Sequence, residues 1–75
     1  MKQIVNGVLY DTDFSTLIYD NTIDKIKYYK SNYGNYFMGF HNGELFPCSE
    51  DTIKYILGKH DVLKYIELFG EPERG

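Results

Sequence analysis

The chain has 75 residues and a mass of 8.8 kDa, which is the size of one small domain. Hydrophobic residues make up 43% of it and aromatic residues 17%, a content too high for a disordered chain. A net charge of −3 argues against general nucleic-acid binding. One Cys and two His supply neither an internal disulfide nor the full ligand set of a structural zinc site, so we predict no metal and no cofactor.

The dipeptide Asn6-Gly7 is the strongest short-range signal in the chain. It readily supplies the two positive φ angles of a type I′ turn, and it is flanked by the segments 2–5 and 8–11, which read KQIV and VLYD. We therefore predict a β-hairpin at the start of the chain. Residues 11–15 follow it with the short polar side chains that are typical of a turn.

The middle of the chain predicts further strands joined by polar turns. The strand candidates are rich in β-branched and aromatic residues and span residues 16–19, 25–30, 36–40 and 45–46. In the second of them, Ile26 and Tyr28 face one side of the sheet, and Lys25, Lys27 and Tyr29 face the other. We expect Asp20 and Asn21 to end the first of these strands, and Pro47 to end the last, because proline cannot donate to a sheet ladder.

After Cys48 the apolar spacing changes from that of a strand to that of a helix. The first helix is predicted to begin after the N-cap Ser49 and to be interrupted at Gly58. A second helix is expected to begin after the N-cap Asp61 and to end at Gly70. Each helix has one apolar stripe, formed by Ile53, Ile56 and Leu57 on the first and by Val62, Ile66 and Phe69 on the second.

Together these elements predict an α+β fold. We expect a small antiparallel meander of about four to five strands, packed against one or two C-terminal helices. Residues 1–70 would form the single domain, and residues 71–75 a disordered tail. The longest apolar runs are too short for a membrane span or a signal peptide, so we predict a soluble cytoplasmic protein without membrane contact.

No recognisable set of catalytic residues is present, so we predict that the protein is not an enzyme. Cys48 precedes a predicted helix N-terminus, where the dipole lowers the pKa of a thiol, but no nucleophile motif surrounds it. Asp11 and Asp13 resemble the first ligands of a calcium loop, but Thr16 stands where such a loop requires glycine. We therefore assign neither a catalytic nor a metal site.

Positive charge is concentrated in the middle of the chain. Residues 25–43 contain three lysines and no acidic residue, whereas both flanking segments are acidic. A domain of this size cannot bury eight Tyr and five Phe completely, so some rings should be exposed. The predicted partner-binding residues in this segment are Lys25, Lys27, Tyr29, Lys30, Tyr33 and Tyr36. They suit a protein partner, a single-stranded nucleic acid, or a merely solvated sheet face.

Four short motifs resemble a family of small proteins from phages, plasmids and integrative elements of Gram-positive bacteria. They cover residues 6–12, 33–37, 46–50 and 66–71, which read NGVLYDT, YGNYF, FPCSE and IELFGE. Small proteins of this genomic kind include inhibitors of host defence, among them anti-CRISPR proteins. The resemblance implies a defence inhibitor in the cytoplasm of the host bacterium, and it transfers no functional residue.

Our leading hypothesis is a non-enzymatic inhibitor that occupies a host defence protein, such as a Cas effector or another nuclease. Acidic residues of the predicted helices would compete with nucleic-acid phosphates for basic residues of that partner, namely Glu50, Asp51, Asp61 and Glu67. Two alternatives are a nucleic-acid-binding accessory protein that uses the basic aromatic hairpin 25–40, and a structural homo-oligomer. Direct nucleic-acid binding is a weaker interpretation than a protein partner, because the whole chain is acidic.

Overall fold

A computed structural model describes residues 1–75, which form six strands and two helices. The strands are β1 (Lys2–Val5), β2 (Val8–Asp11), β3 (Ser15–Asn21), β4 (Ile26–Ser31), β5 (Tyr36–Phe40) and β6 (Leu45–Cys48). The helices are α1 (Glu50–His60) and α2 (Val62–Phe69), and one 3₁₀ turn spans Thr12–Phe14. Strands β3 to β6 form a four-stranded antiparallel meander, while β1 and β2 form a separate hairpin. The predicted α+β fold is confirmed.

The first hairpin forms as its turn chemistry predicts. Asn6 has φ of 52° and Gly7 has φ of 79°, so both central residues occupy the left-handed region that a type I′ turn requires. Val5 and Val8 then lie opposite one another, and the pairing continues to Lys2 opposite Asp11. The backbone of the turn therefore sets the register of the whole hairpin.

The four-stranded sheet separates two apolar clusters. On one face, which we call the helix-side core, Ile18 and Tyr28 pack with Ile53 and Leu57 of α1. On the other face, the hairpin-side core consists of Tyr10 from β2, Phe37 and Leu45. Adjacent residues of β4 join different cores, because successive side chains of a strand point to opposite faces. The fold thus has three layers: hairpin, sheet and helices.

Strand β3 is longer than predicted and contains an irregularity. Leu17 pairs with Tyr29 and Tyr19 pairs with Tyr28, so Ile18 is an extra residue in the ladder. This β-bulge lets Ile18 and its neighbour Tyr19 both pack on the helix-side core. Asp20 and Asn21, which we expected to lie just beyond the strand, are its last two residues and pair with β4.

Two predicted breaks are wrong. Pro47 lies inside β6, paired with Phe37. Because β6 is the last strand of the sheet, a residue there can lack an N–H without interrupting a ladder on both sides. Gly58 lies inside α1, since one helical glycine costs only about 1 kcal/mol relative to alanine. Burial of Ile53 and Leu57 outweighs that cost.

The helix ends agree with their predicted caps. The Ser49 hydroxyl accepts a hydrogen bond from the Thr52 amide at 3.1 Å, and an Asp61 carboxylate oxygen accepts one from the Lys64 amide at 3.1 Å. Gly70 ends α2 with φ of 88°. Residues 71–75 are exposed and have no regular secondary structure.

The apolar stripe of α2 agrees with the prediction only at Phe69. Tyr65, Leu68 and Phe69 pack on the helix-side core, whereas Val62 is exposed. The helix is apolar around much of its surface, so periodicity alone did not identify which side meets the sheet. Neither α1 nor α2 has the length and apolar character needed to cross a membrane.

Candidate interaction surfaces

The structure distributes the predicted basic aromatic set over both faces of the sheet. In the β4–β5 register, Lys27 lies opposite Gly39 and Tyr29 opposite Phe37, all on the hairpin side. Lys30 lies opposite Tyr36 on the helix side, and Tyr33 occupies the loop between the strands. These residues therefore do not form one continuous surface.

Tyr36 and Lys30 take part in packing. The Lys30 ammonium lies 5.7 Å from the centre of the Tyr36 ring, and that ring lies 6.3 Å from the ring of Phe69 in α2. Tyr36 is accordingly half-buried between the sheet and the helix. Its ring is not free to stack on a nucleic-acid base, as the nucleic-acid interpretation requires.

Tyr29 belongs to a row of three aromatic rings on the hairpin side. Its ring stacks on Phe37 with centres 5.1 Å apart and planes 15° apart, and Phe37 contacts Tyr10 at 5.1 Å. Gly39 makes room for the end of this row, because a Cβ atom there would lie only 3.2 Å from Tyr29 Cε2. The half-buried Tyr29 ring is thus held in place by its neighbours.

A cleft of about 400 Å³ lies beside Tyr29, between the β3–β4 turn and the β5–β6 turn. We call it the basic cleft, and its polar and aromatic lining includes Asp20, Lys25, Lys27, Tyr29, Phe40 and His41. Neither lining lysine has a carboxylate within 4.0 Å, since the ion pairs of the molecule join Lys54 to Glu50 and Lys64 to Glu67. The cleft is therefore locally positive within an acidic protein.

Side-chain hydrogen bonds shape the turn that carries Lys25. The Asn21 side chain accepts a hydrogen bond from the Asp24 amide at 3.1 Å and donates one to the Asp24 carboxylate at 3.0 Å. Lys25 follows with φ of 58°, in the left-handed region that few non-glycine residues occupy. The sequence placed Lys25 in a strand; in the structure it belongs to the turn at the edge of the cleft.

A second groove, of about 430 Å³, runs along the outer side of the first hairpin. Leu9, Phe14 and Tyr33 line it and are 58%, 68% and 93% exposed. Ile4 lies directly opposite Leu9 on the same outer face and is 69% exposed. We call this surface the apolar groove, with Ile4, Leu9, Phe14 and Tyr33 as its members.

Sequence reasoning identified only Tyr33 of the apolar groove. A usable signal was present, because β1 and β2 carry apolar residues on both of their faces: Val5 and Tyr10 pack inward, while Ile4 and Leu9 point outward. A hairpin that covers a sheet needs only one apolar face. Phe14 lies in the 3₁₀ turn, where strand periodicity provides no information.

A third exposed apolar surface lies on the helices. Val62 and Leu63 of α2 are exposed, as is Tyr55 of α1. The Lys59 ammonium lies 6.0 Å from the centre of the Tyr55 ring. These side chains line neither the basic cleft nor the apolar groove.

The predicted acidic residues do not form a single surface either. Glu50 and Asp51 begin α1, whereas Asp61 follows its other end, about 16 Å away along the helix axis. Glu50 pairs with Lys54 at 3.6 Å and Glu67 with Lys64 at 3.0 Å. Asp51 forms neither an ion pair nor a side-chain hydrogen bond.

Cys48 is not activated by the helix that follows it. Burial raises the pKa of its thiol to about 11, the direction opposite to that in which a helix N-terminus shifts a thiol. The thiol packs against the helix-side core instead. No group of three or more His, Cys, Asp and Glu side chains is arranged to hold a metal ion.

Comparison with known proteins identifies no relative, so a function has to be inferred from the surfaces described above. No family model matches the chain, and neither a curated protein nor a solved structure matches it.

Proposed function

We propose that the protein is a non-enzymatic binding module that acts by covering part of a larger protein, and that the apolar groove is the surface it uses. The observation that supports this function is the exposure of three large apolar side chains along one groove, Leu9, Phe14 and Tyr33, with the exposed Ile4 directly opposite Leu9 on the same face of the hairpin. Soluble monomers rarely expose contiguous apolar patches larger than roughly a few hundred Å², and patches of that size rimmed by polar residues mark interaction sites. Aromatic anchors surrounded by polar residues are typical of protein-binding hot spots.

Hydrogen-bonded turns hold the two aromatic anchors of the groove. Asp11 caps the turn of Phe14, since its carboxylate accepts from the Asp13 amide at 3.0 Å and its carbonyl from the Ser15 hydroxyl at 2.7 Å. The Ser31 hydroxyl accepts from the amides of Tyr33 and Asn35, at 3.3 Å and 3.1 Å. Such preorganisation lowers the entropy that binding would cost.

The partner class that we propose to test first is a host defence protein, such as a Cas effector or another nuclease, because the family resemblance points there. The net charge of −3 favours approach to a basic, nucleic-acid-binding face of such a protein. Steric coverage of that face would block it without any chemical step. This inhibition requires stoichiometric amounts of the protein.

The test compares two variants that lose equal numbers of exposed apolar side chains. Phe14→Ser with Tyr33→Ser removes the anchors of the apolar groove, and Val62→Ser with Leu63→Ser removes the exposed residues of α2. Each variant is titrated against purified Cas effectors and nucleases of a Gram-positive host by surface plasmon resonance. Each hot-spot residue contributes roughly 2 kcal/mol, so each anchor lost should weaken binding about thirtyfold.

The wild-type protein and the α2 variant should bind equally well and inhibit the effector at equal stoichiometry. Loss of binding in the α2 variant, with retention in the groove variant, would place the interface on the helices. Sedimentation at two concentrations distinguishes the homo-oligomer, because a self-associating groove would give a dimer that the groove variant abolishes.

A further inference from the structure

We propose that the basic cleft binds a small anion with a planar ring, such as a nucleoside monophosphate, with the ring against Tyr29 and the anionic group between Lys25 and Lys27. This site is separate from the apolar groove, because the two share no lining residue. It therefore does not depend on the protein-binding function proposed above.

The shape and lining of the cleft suit a ligand with one apolar and one charged part. Its volume of about 400 Å³ is within the range of small-molecule pockets, roughly 300–1,000 Å³. The deeper part of the lining includes Gly39, which is buried, and the half-buried ring of Tyr29. The exposed rim carries Lys25 and Lys27.

The charges at the rim favour an anion. Lys25 and Lys27 have no ion-pair partner, although Asp20 lies opposite Lys27 in the β3–β4 register. His41 adds a further nitrogen-bearing side chain to the same cleft. An ammonium group without a carboxylate partner keeps its charge and donors available for a phosphate or carboxylate.

The aromatic row supplies the reason for a planar ring. Tyr10, Phe37 and Tyr29 follow one another with ring centres 5.1 Å apart, and the last of them lines the cleft. A planar group placed on Tyr29 would extend the row by one member, at a spacing that aromatic pairs prefer. Gly39 keeps this position accessible, because a side chain there would crowd the Tyr29 ring.

Nuclear magnetic resonance titration with three probes tests the two parts of the site separately. The ¹⁵N-labelled protein is titrated with adenosine monophosphate, with inorganic phosphate and with adenosine. We expect the monophosphate to bind at least about tenfold more tightly than either fragment, because each fragment lacks one of the two contacts. The amide signals of Lys27, Gly39 and Gly43 should shift the most.

Matched charge variants identify the residues responsible. Lys25→Gln with Lys27→Gln should weaken monophosphate binding at least about tenfold, since charge-assisted hydrogen bonds contribute roughly 1.5–3 kcal/mol. The control, Lys2→Gln with Lys59→Gln, removes the same charge outside the cleft and should bind like the wild type. Circular dichroism checks that both variants are folded.

Several results would overturn the proposal. These are the absence of any shift at about 10 mM monophosphate, equal loss of affinity in the control, and phosphate alone binding as tightly as the monophosphate. Shifts confined to the apolar groove would also overturn it. If the affinity for single-stranded oligonucleotides rises with their length, the surface is an extended nucleic-acid-binding site and not a small-ligand site.

Discussion

The two faces of the four-stranded sheet are covered to different degrees. On the helix side, α1 and α2 place Ile53, Leu57, Tyr65, Leu68 and Phe69 over the strands. On the hairpin side, β1 and β2 contribute only Val5 and Tyr10 to the core. The basic cleft and the apolar groove both involve residues of the thinly covered side. The helix layer therefore supplies most of the apolar cover, and the hairpin layer leaves part of its sheet face open.

The largest expected effect follows from opening the helix-side core. Leu57→Ala removes a fully buried side chain and should lower the free energy of unfolding by about 2–5 kcal/mol. In a domain this small that loss is a large part of the total stability. Urea denaturation measures it. Leu63→Ala, at a position 82% exposed, is the control and should change the free energy by less than about 0.5 kcal/mol.

Two substitutions of glycine by alanine, one in β5 and one in α1, should change the free energy of unfolding in opposite directions. Gly39→Ala places a Cβ atom 3.2 Å from Tyr29 and 3.4 Å from Leu45, so the hairpin-side core must shift, at a cost of about 1–3 kcal/mol. Gly58→Ala adds a Cβ atom at an exposed position of α1, where its nearest neighbour, Tyr65 Cδ2, would lie 3.9 Å away in ordinary van der Waals contact, and should stabilise by about 0.5–1 kcal/mol. The midpoint temperatures of thermal unfolding of the two variants and of the wild-type protein measure both changes. A stabilised Gly39→Ala variant would mean that the Tyr29 ring moves away at little cost.

The N-cap of α1 should make a smaller contribution. Ser49→Ala removes the acceptor for the Thr52 amide and should cost about 1 kcal/mol. Ser49→Asp retains an acceptor and should restore most of that loss. Chemical denaturation of both variants provides the measurement. Equal destabilisation by Ala and Asp would show that the hydroxyl acts through another contact, such as its hydrogen bond with Thr52 Oγ1 at 3.0 Å.

The free energy of unfolding should also depend on pH, through the thiol of Cys48 at the end of β6. Burial raises the pKa of Cys48 from an ordinary 9.0 to about 11, so the neutral thiol is favoured in the folded state. Its contribution to stability is complete below pH 9 and is lost as pH rises from 9 towards 11. Burial also raises the pKa of Tyr28, which acts in the same direction at higher pH.

Unfolding free energies at about pH 8 and about pH 10 test this dependence. The wild-type protein should be less stable at the higher pH, and Cys48→Ala should reduce the difference. The folded thiol should also react slowly with iodoacetamide near neutral pH, because the thiolate is the nucleophile. Rapid alkylation of the folded protein would contradict the burial of this thiol.

Local features of the chain predicted most of the elements. The Asn6-Gly7 turn, the caps at Ser49 and Asp61 and the stop at Gly70 each depend on a backbone angle or hydrogen bond between near neighbours. Such interactions need no distant partner, so the residue types are sufficient to predict them. The residues that we predicted to bind a partner share one segment of the chain, but the structure distributes them over both faces of the sheet, which their order in the segment did not reveal.

The sequence by itself determined the antiparallel meander, the first hairpin and the two capped helices, because alternation and capping are properties of neighbouring residues. The tertiary structure alone decided that Tyr36 packs under α2 while Tyr29 lines a cleft, and that Pro47 fits within an edge strand. It also joined Leu9, Phe14 and Tyr33 into one groove. Burial and juxtaposition depend on which elements meet across the sheet, and those contacts link residues far apart in the chain.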